Sequence, residues 1–299
     1  VMDSLEAKMA EMNLDKKKIR RGFALVLVND EFKYDGKRIG AQQDKINIIK
    51  FCERAKFTVN DIKTLKLENN SGLKFDSEGL KTHNLTSKEM GDLFMTVSKG
   101  DFSSYDAFVC FMSSHGGAGG ILGTDGEMIP VQKIVDYFKA SSEFPSLAGK
   151  PKLFFTQNCR GGQKCKGVEK PDSGDDSASD DVVADTGCAP ITIPREADVL
   201  IAYSSVDEYI SYRDTKQGSW FITLLTKVFN EHAHKMNLTD MLTIVNNEVA
   251  RKVSKTGEKQ MPCFLSTLRK AVYFDVTKPS ESPASSSQEP LLMTGLIIM

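Results

Sequence analysis

The chain lacks what would commit it to a membrane, a nucleic acid or a disulfide framework. No stretch of its 299 residues approaches the roughly 20 consecutive apolar residues of a spanning helix. The closing run from Leu291 to Met299 is too short, and the charged first turns do not read as a secretory signal. Basic and acidic residues nearly cancel, 39 against 40, so no overall field draws the chain to nucleic acid or an anionic bilayer. The six cysteines (Cys52, Cys110, Cys159, Cys165, Cys188 and Cys263) show no paired spacing, and Cys52 and Cys110 sit among apolar neighbours. That usage predicts reduced thiols in a reducing compartment. Cys159 and Cys165 have no second CxxC-type half and the four histidines lie elsewhere, so neither a metal nor any other cofactor is expected.

What the chain does have is two apolar runs that end abruptly in reactive side chains. Lys152-Leu153-Phe154-Phe155-Thr156-Gln157-Asn158-Cys159-Arg160-Gly161-Gly162 reads as a buried strand delivering a thiol to its carboxyl end. Ligands of parallel α/β sheets bind at those ends. A lone cysteine there is ordinarily packing. The second run, Ala107 to Ser114, ends in His115 followed by Gly116, Gly117, Gly119 and Gly120. If the two strands are neighbours, a thiol meets an imidazole, the minimal pair for cysteine nucleophilic catalysis. Glycines after the histidine let backbone N–H groups approach a substrate carbonyl, as an oxyanion hole requires.

The remaining pattern alternates strands with helices. Phe23 to Val28 is a near-continuous apolar run, the mark of a strand covered on both faces. Residues 42 to 55 read as a helix with Ile46, Ile49, Phe51 and Cys52 on its apolar face, and 57 to 67 as a second strand. Thr86 and Glu89 form a capping box that opens a helix through Val97. Residues 121 to 128 form a hairpin turning at Asp125-Gly126, and 131 to 140 an amphipathic helix. Residues 163 to 189 are polar and acidic, an exposed linker. A strand follows at 197 to 203, then helices at 220 to 232 and 237 to 253. Residues 262 to 268 and 271 to 274 give the last strand. The alternation predicts an α/β sandwich with a mostly parallel central sheet of about six strands flanked by helices. Residues 1 to 20 read as a short helix or lead-in, and 277 to 299 as a Ser/Pro-rich tail without a fold.

Gln157-Asn158-Cys159-Arg160-Gly161 resembles the active-site pentapeptide of the caspase family, and Ser114-His115-Gly116 its histidine motif. The similarity runs from Arg21-Gly22 to Phe274. It implies a caspase-like cysteine endopeptidase that cuts protein substrates after aspartate and acts in apoptosis or a related cascade, with Cys159 as nucleophile and His115 as general acid and base. Backbone N–H groups of Gly116 and Cys159 would hold the oxyanion. By the same resemblance Arg38, Gln157 and Arg213 form the aspartate pocket, an arginine fork suited to bidentate grip of a carboxylate. Residues 209 to 213 would offer an extended edge to the substrate. Ile210, Ser211, Tyr212 and Trp220 would line that edge and the adjoining subsites.

The resemblance further implies a zymogen. A large subunit over 21–185 and a small one over 186–276 would be separated by cutting at Asp185, with Asp175 and Asp181 as rivals, and a lead-in would be removed at Asp15. The strand from Cys263 to Leu268 would be the edge that pairs two such heterodimers. A cytoplasmic protein is expected, with inhibitor or adaptor proteins as further partners and neither nucleic acid nor membrane among them. A chain beginning at Val1 leaves room for an upstream segment. Four features depart from the family pattern: Asn158 stands where alanine is usual, Tyr212 where tryptophan is frequent, 254 to 260 is short, and the tail after Val276 has no counterpart in it. Asn158, polar and beside the nucleophile, needs space and a partner.

Overall fold

The computed structural model describes residues 15–34, 36–67, 72–77, 79–139, 145–166 and 194–277. Six strands form the central sheet: β1 (Gly22–Val28), β2 (Thr58–Val59), β3 (Ala107–Ser113), β4 (Lys152–Gln157), β5 (Val199–Tyr203) and β6 (Cys263–Ser266). Their order is β6-β5-β4-β3-β1-β2, and only β6 runs antiparallel to its neighbour. All residues of β1, β3 and β4 are buried. Both faces of a parallel sheet are covered, which is why these strands are continuous apolar runs.

Five helices supply that cover: α1 (Ala41–Arg54), α2 (Ser87–Ser98), α3 (Val131–Tyr137), α4 (Trp220–His232) and α5 (Leu238–Arg251). Side chains alternate across a strand. Ala24, Val26 and Val28 therefore pack with α1, α4 and α5, whereas Phe23, Leu25 and Leu27 pack with α2 and α3. The Thr86–Glu89 capping box is formed, with Thr86 accepting from Glu89 N and Glu89 from Thr86 N.

Four local expectations are corrected. Ile46 is exposed; the buried stripe of α1 is Ala41, Asp44, Ile48, Phe51 and Cys52. The second strand stops at Val59, because Asn60 takes a positive φ of 52° and Asp61 caps a 3-10 turn over Ile62–Leu65. Lys16–Ile19 is neither helix nor loose lead-in but a strand, paired in parallel with Ala271–Phe274. That pairing removes Ala271–Phe274 from the central sheet. The break follows Ser266, where Arg269 turns back to an ion pair with buried Asp198 at 2.6 Å. Cys52 and Cys110 are buried thiols, and burial pushes both well above the usual thiol pKa. Among the described residues no helix is long and apolar enough to cross a membrane.

Candidate active site

Strand register brings the two motifs together. Ser113 of β3 pairs with Gln157 of β4, and Ser114 N donates to Gln157 O at 3.1 Å. His115 and Cys159 each lie two residues past that pair, so they share the carboxyl edge of adjacent strands. Both are half-buried. Phe32 packs edge-on against the His115 ring at 4.7 Å, limiting how it can turn. Ser211 N donates to Cys159 Sγ at 3.4 Å.

The chain after His115 folds back as a small three-stranded sheet of Gly116–Gly117, Gly120–Leu122 and Met128–Pro130. Leu122 N donates to His115 O at 2.8 Å, so those residues form a hydrogen-bonded pair. Bonded and non-bonded pairs alternate in an antiparallel ladder. The next pair, Gly116 with Ile121, is therefore of the non-bonded kind, and the Gly116 N–H points off the ladder.

A cationic recess adjoins the thiol. Arg38 is 2% exposed; one terminal nitrogen donates to Asn29 O at 2.7 Å, and both reach Ser113 Oγ at 3.3 and 3.4 Å. Burial foremost, and then the charge of nearby Arg213, lower the Arg38 pKa to about 10 against the opposing pull of Asp44. Arg213 opens a short hairpin with Gly218–Ser219, and its Nε donates to Ile39 O at 2.8 Å. Gly40 makes that approach possible: it adopts φ +92°, and a Cβ there would lie 2.5 Å from Asp214 O.

Asp44 sits beneath the two guanidiniums, fully buried, with Ser219 N donating to it at 2.7 Å. Burial raises its pKa, while the Ser219 bond and Arg38 act the other way. Two cations line the recess; Asp44 acts on both of them, and Asp30 on Arg38. Among the described residues, Arg38 Nε and Gln157 Oε1 are buried there without a hydrogen-bond partner. Such orphans cost about 1–3 kcal/mol each. An incoming carboxylate would accept from the guanidiniums, and the Gln157 amide, turned over, would present donors to it.

The sequence profile of the caspase domain matches residues 21–273. The chain is 40% identical over 199 residues to Caspase-3 of Bos taurus, covering 64% of this chain and 68% of the relative. It is 38% identical over 210 residues to Caspase-3 of Mus musculus, covering 68% and 71%. The chain belongs to the caspase family. It is a cysteine peptidase, a hydrolase cleaving after aspartate, on a caspase-like α/β fold.

Within this caspase the other predicted site residues fall in two groups. Tyr212 stacks on Trp220 at 4.9 Å, beside the recess, and Ile210 is half-buried nearby. The Ser211 hydroxyl is already engaged, donating to Asn158 O at 3.0 Å. Residues 209–213 are not one continuous ladder edge: Tyr209 bridges Gln163, and Tyr212 N donates to Gln260 Oε1 at 2.6 Å. Asp15 stands at the start of the Lys16–Ile19 strand, ion-paired to Lys270 at 2.9 Å. Asp175, Asp181 and Asp185 lie outside the described residues.

The sequence alone assigns no role to Phe32, Ser113 or Asp44. Asp44 did carry a signal. It stands at helical spacing between Ala41 and Ile48, a carboxylate inside an apolar stripe. Phe32 carried none, since its contact with His115 arises from a loop packing across the sheet edge.

Proposed function

We propose that Cys159 is the nucleophile and His115 the general acid and base of an aspartate-specific endopeptidase, and that Arg38, Gln157 and Arg213 hold the substrate aspartate. The shared edge of β3 and β4 supports this reading, since Cys159 and His115 each lie two residues past the paired Gln157 and Ser113, near Arg38 and Arg213. The Cys159 thiolate adds to the backbone carbonyl carbon of the substrate aspartate, and the carbonyl electrons move onto oxygen. Gly116 N–H and Cys159 N–H stabilise that oxyanion. His115 gives its proton to the leaving amine as the C–N bond breaks, leaving a thioester. His115 then takes a proton from water as the water oxygen adds to the thioester carbonyl carbon; the C–S bond breaks, the acid leaves, and the Cys159 thiolate with protonated His115 is restored.

The acidic stretch in 163–189 supports a zymogen cut at Asp185, Asp175 or Asp181. Removal of the lead-in at Asp15 would leave Lys16–Ile19 in its pairing with Ala271–Phe274. β6 ends the central sheet, with Leu265 exposed on it, and is the edge on which two heterodimers would pair. Apoptosis or a related cascade in the cytoplasm is the setting the family implies, with inhibitor or adaptor proteins as further partners.

The test is hydrolysis of paired fluorogenic peptides bearing aspartate or arginine before the cut. Wild-type protein should cut only the aspartyl peptide, and Cys159→Ala should lose all turnover while keeping its melting temperature. Turnover in Cys159→Ala would remove it as nucleophile. Cleavage of the arginyl peptide would overturn the pocket assignment.

A further inference from the structure

Asn158, the residue before Cys159, is 2% exposed and joins the segments that meet at the site. Its Nδ2 donates to Gly120 O at 3.0 Å and to Cys159 O at 2.9 Å. Both partners are acceptors only, which fixes the amide's orientation. Its Oδ1 then accepts from Thr156 Oγ1 of β4 at 2.6 Å. Its main-chain O accepts from Ser204 Oγ at 2.9 Å and Ser211 Oγ at 3.0 Å. The side chain also fills the space beside Gly116. A Cβ built there would lie 2.5 Å from Asn158 Nδ2 and 2.8 Å from Asn158 Cβ.

One amide thus ties the glycine hairpin after His115 to the peptide of the nucleophile. None of its side-chain bonds reaches the Cys159 sulfur, Arg38 or Arg213. We propose that Asn158 is a positioning residue that sets the separation between the Gly116 and Cys159 N–H groups. Resting on the roles given above to those groups, this predicts an effect on the tetrahedral step and little on peptide binding or thiol reactivity. Donors displaced by even a fraction of an ångström lose much of their worth to a developing charge.

The experiment uses the processed full chain with Asn158→Ala and with Asn158→Asp, which keeps the volume but turns an oxygen toward two carbonyls. Turnover number on the aspartyl peptide should fall about tenfold to a hundredfold, with KM within about twofold. Affinity for an aspartyl peptide aldehyde should fall by a similar factor, because its hemithioacetal oxygen occupies the same donors. Alkylation of Cys159 by iodoacetamide, which displaces iodide and builds no oxyanion, should keep its wild-type rate.

Unchanged turnover and aldehyde affinity would overturn the proposal. So would alkylation slowed in step with turnover, or a rise in KM alone. Failure of both variants to fold would make Asn158 purely structural and would overturn it as well. Activity surviving in Cys159→Ala would instead strike the underlying assignment, whatever the Asn158 variants do.

Discussion

Arg38 and Arg213 bring the same charge to one recess, yet their burial divides their duties. Arg38 is buried and bonded to Asn29 O and Ser113 Oγ, so it ties the residue after β1 to the last residue of β3. Arg213 is half-buried, and its Nε donates to Ile39 O. Arg213→Ala should therefore lower kcat/KM on the aspartyl peptide by about a hundredfold or more, roughly the 3 kcal/mol typical of truncating one side of a desolvated charge pair. Its melting temperature should stay near wild type. Arg38→Ala should lose both activity and stability, since it removes the cation bonded to Asn29 O and Ser113 Oγ and the stronger of the two that act on buried Asp44. Equal melting temperatures for the two variants would contradict this division. Motif context singled out both arginines, but it held no sign of their different burial. Burial depends on α1 and the 213–219 hairpin closing over Arg38.

At the scale of elements, β4 carries chemistry at one end and a cost at the other. Lys152, its first residue, is fully buried, with Nζ donating to Lys150 O at 3.0 Å. Burial pushes its pKa down to about 8. In the unfolded chain a lysine titrates near 10.4, so between about 8 and about 10 the unfolded state holds more protons than the folded one. Stability then rises with pH across that window, by up to about 1.4 kcal/mol per unit. Lys152→Met removes this dependence. Its stability relative to wild type, from urea midpoints, should fall between about pH 7 and about pH 9.5. A pH-independent difference would show that the ammonium pays no burial penalty. The strand itself was plain in the sequence, because an apolar run is a local signal. The buried lysine was not, because its cover comes from 147–151 and from Asp198.

For the whole molecule, the decisive seam is the one between β4 and β5, which lie on opposite sides of 167–193. They pair from Lys152↔Val199 through Thr156↔Tyr203. Phe51 and Phe155 from the first part pack on Phe229 of the second, at 5.1 and 5.7 Å. A chain carrying an inserted protease site in 167–193 should, once cut, elute as one particle under native conditions and separate only when denatured. Each part made alone would expose half of a sheet core and should not fold. Native separation of the cut parts would contradict the continuous core.

The sequence by itself determined the strand ends with their thiol, imidazole and glycines, the capped helix at Ser87–Ser98, and the α/β alternation. All of these are written in residues close along the chain, as periodicity, caps and turns. Only the tertiary structure decided that Lys16–Ile19 pairs with Ala271–Phe274, that Asp44 lies beneath two arginines from distant segments, and that Asn158 fills the space beside Gly116. Such contacts join segments far apart in the chain. They are selected by which pairing buries the most apolar surface while leaving the fewest polar groups unpaired, and no local period records that choice.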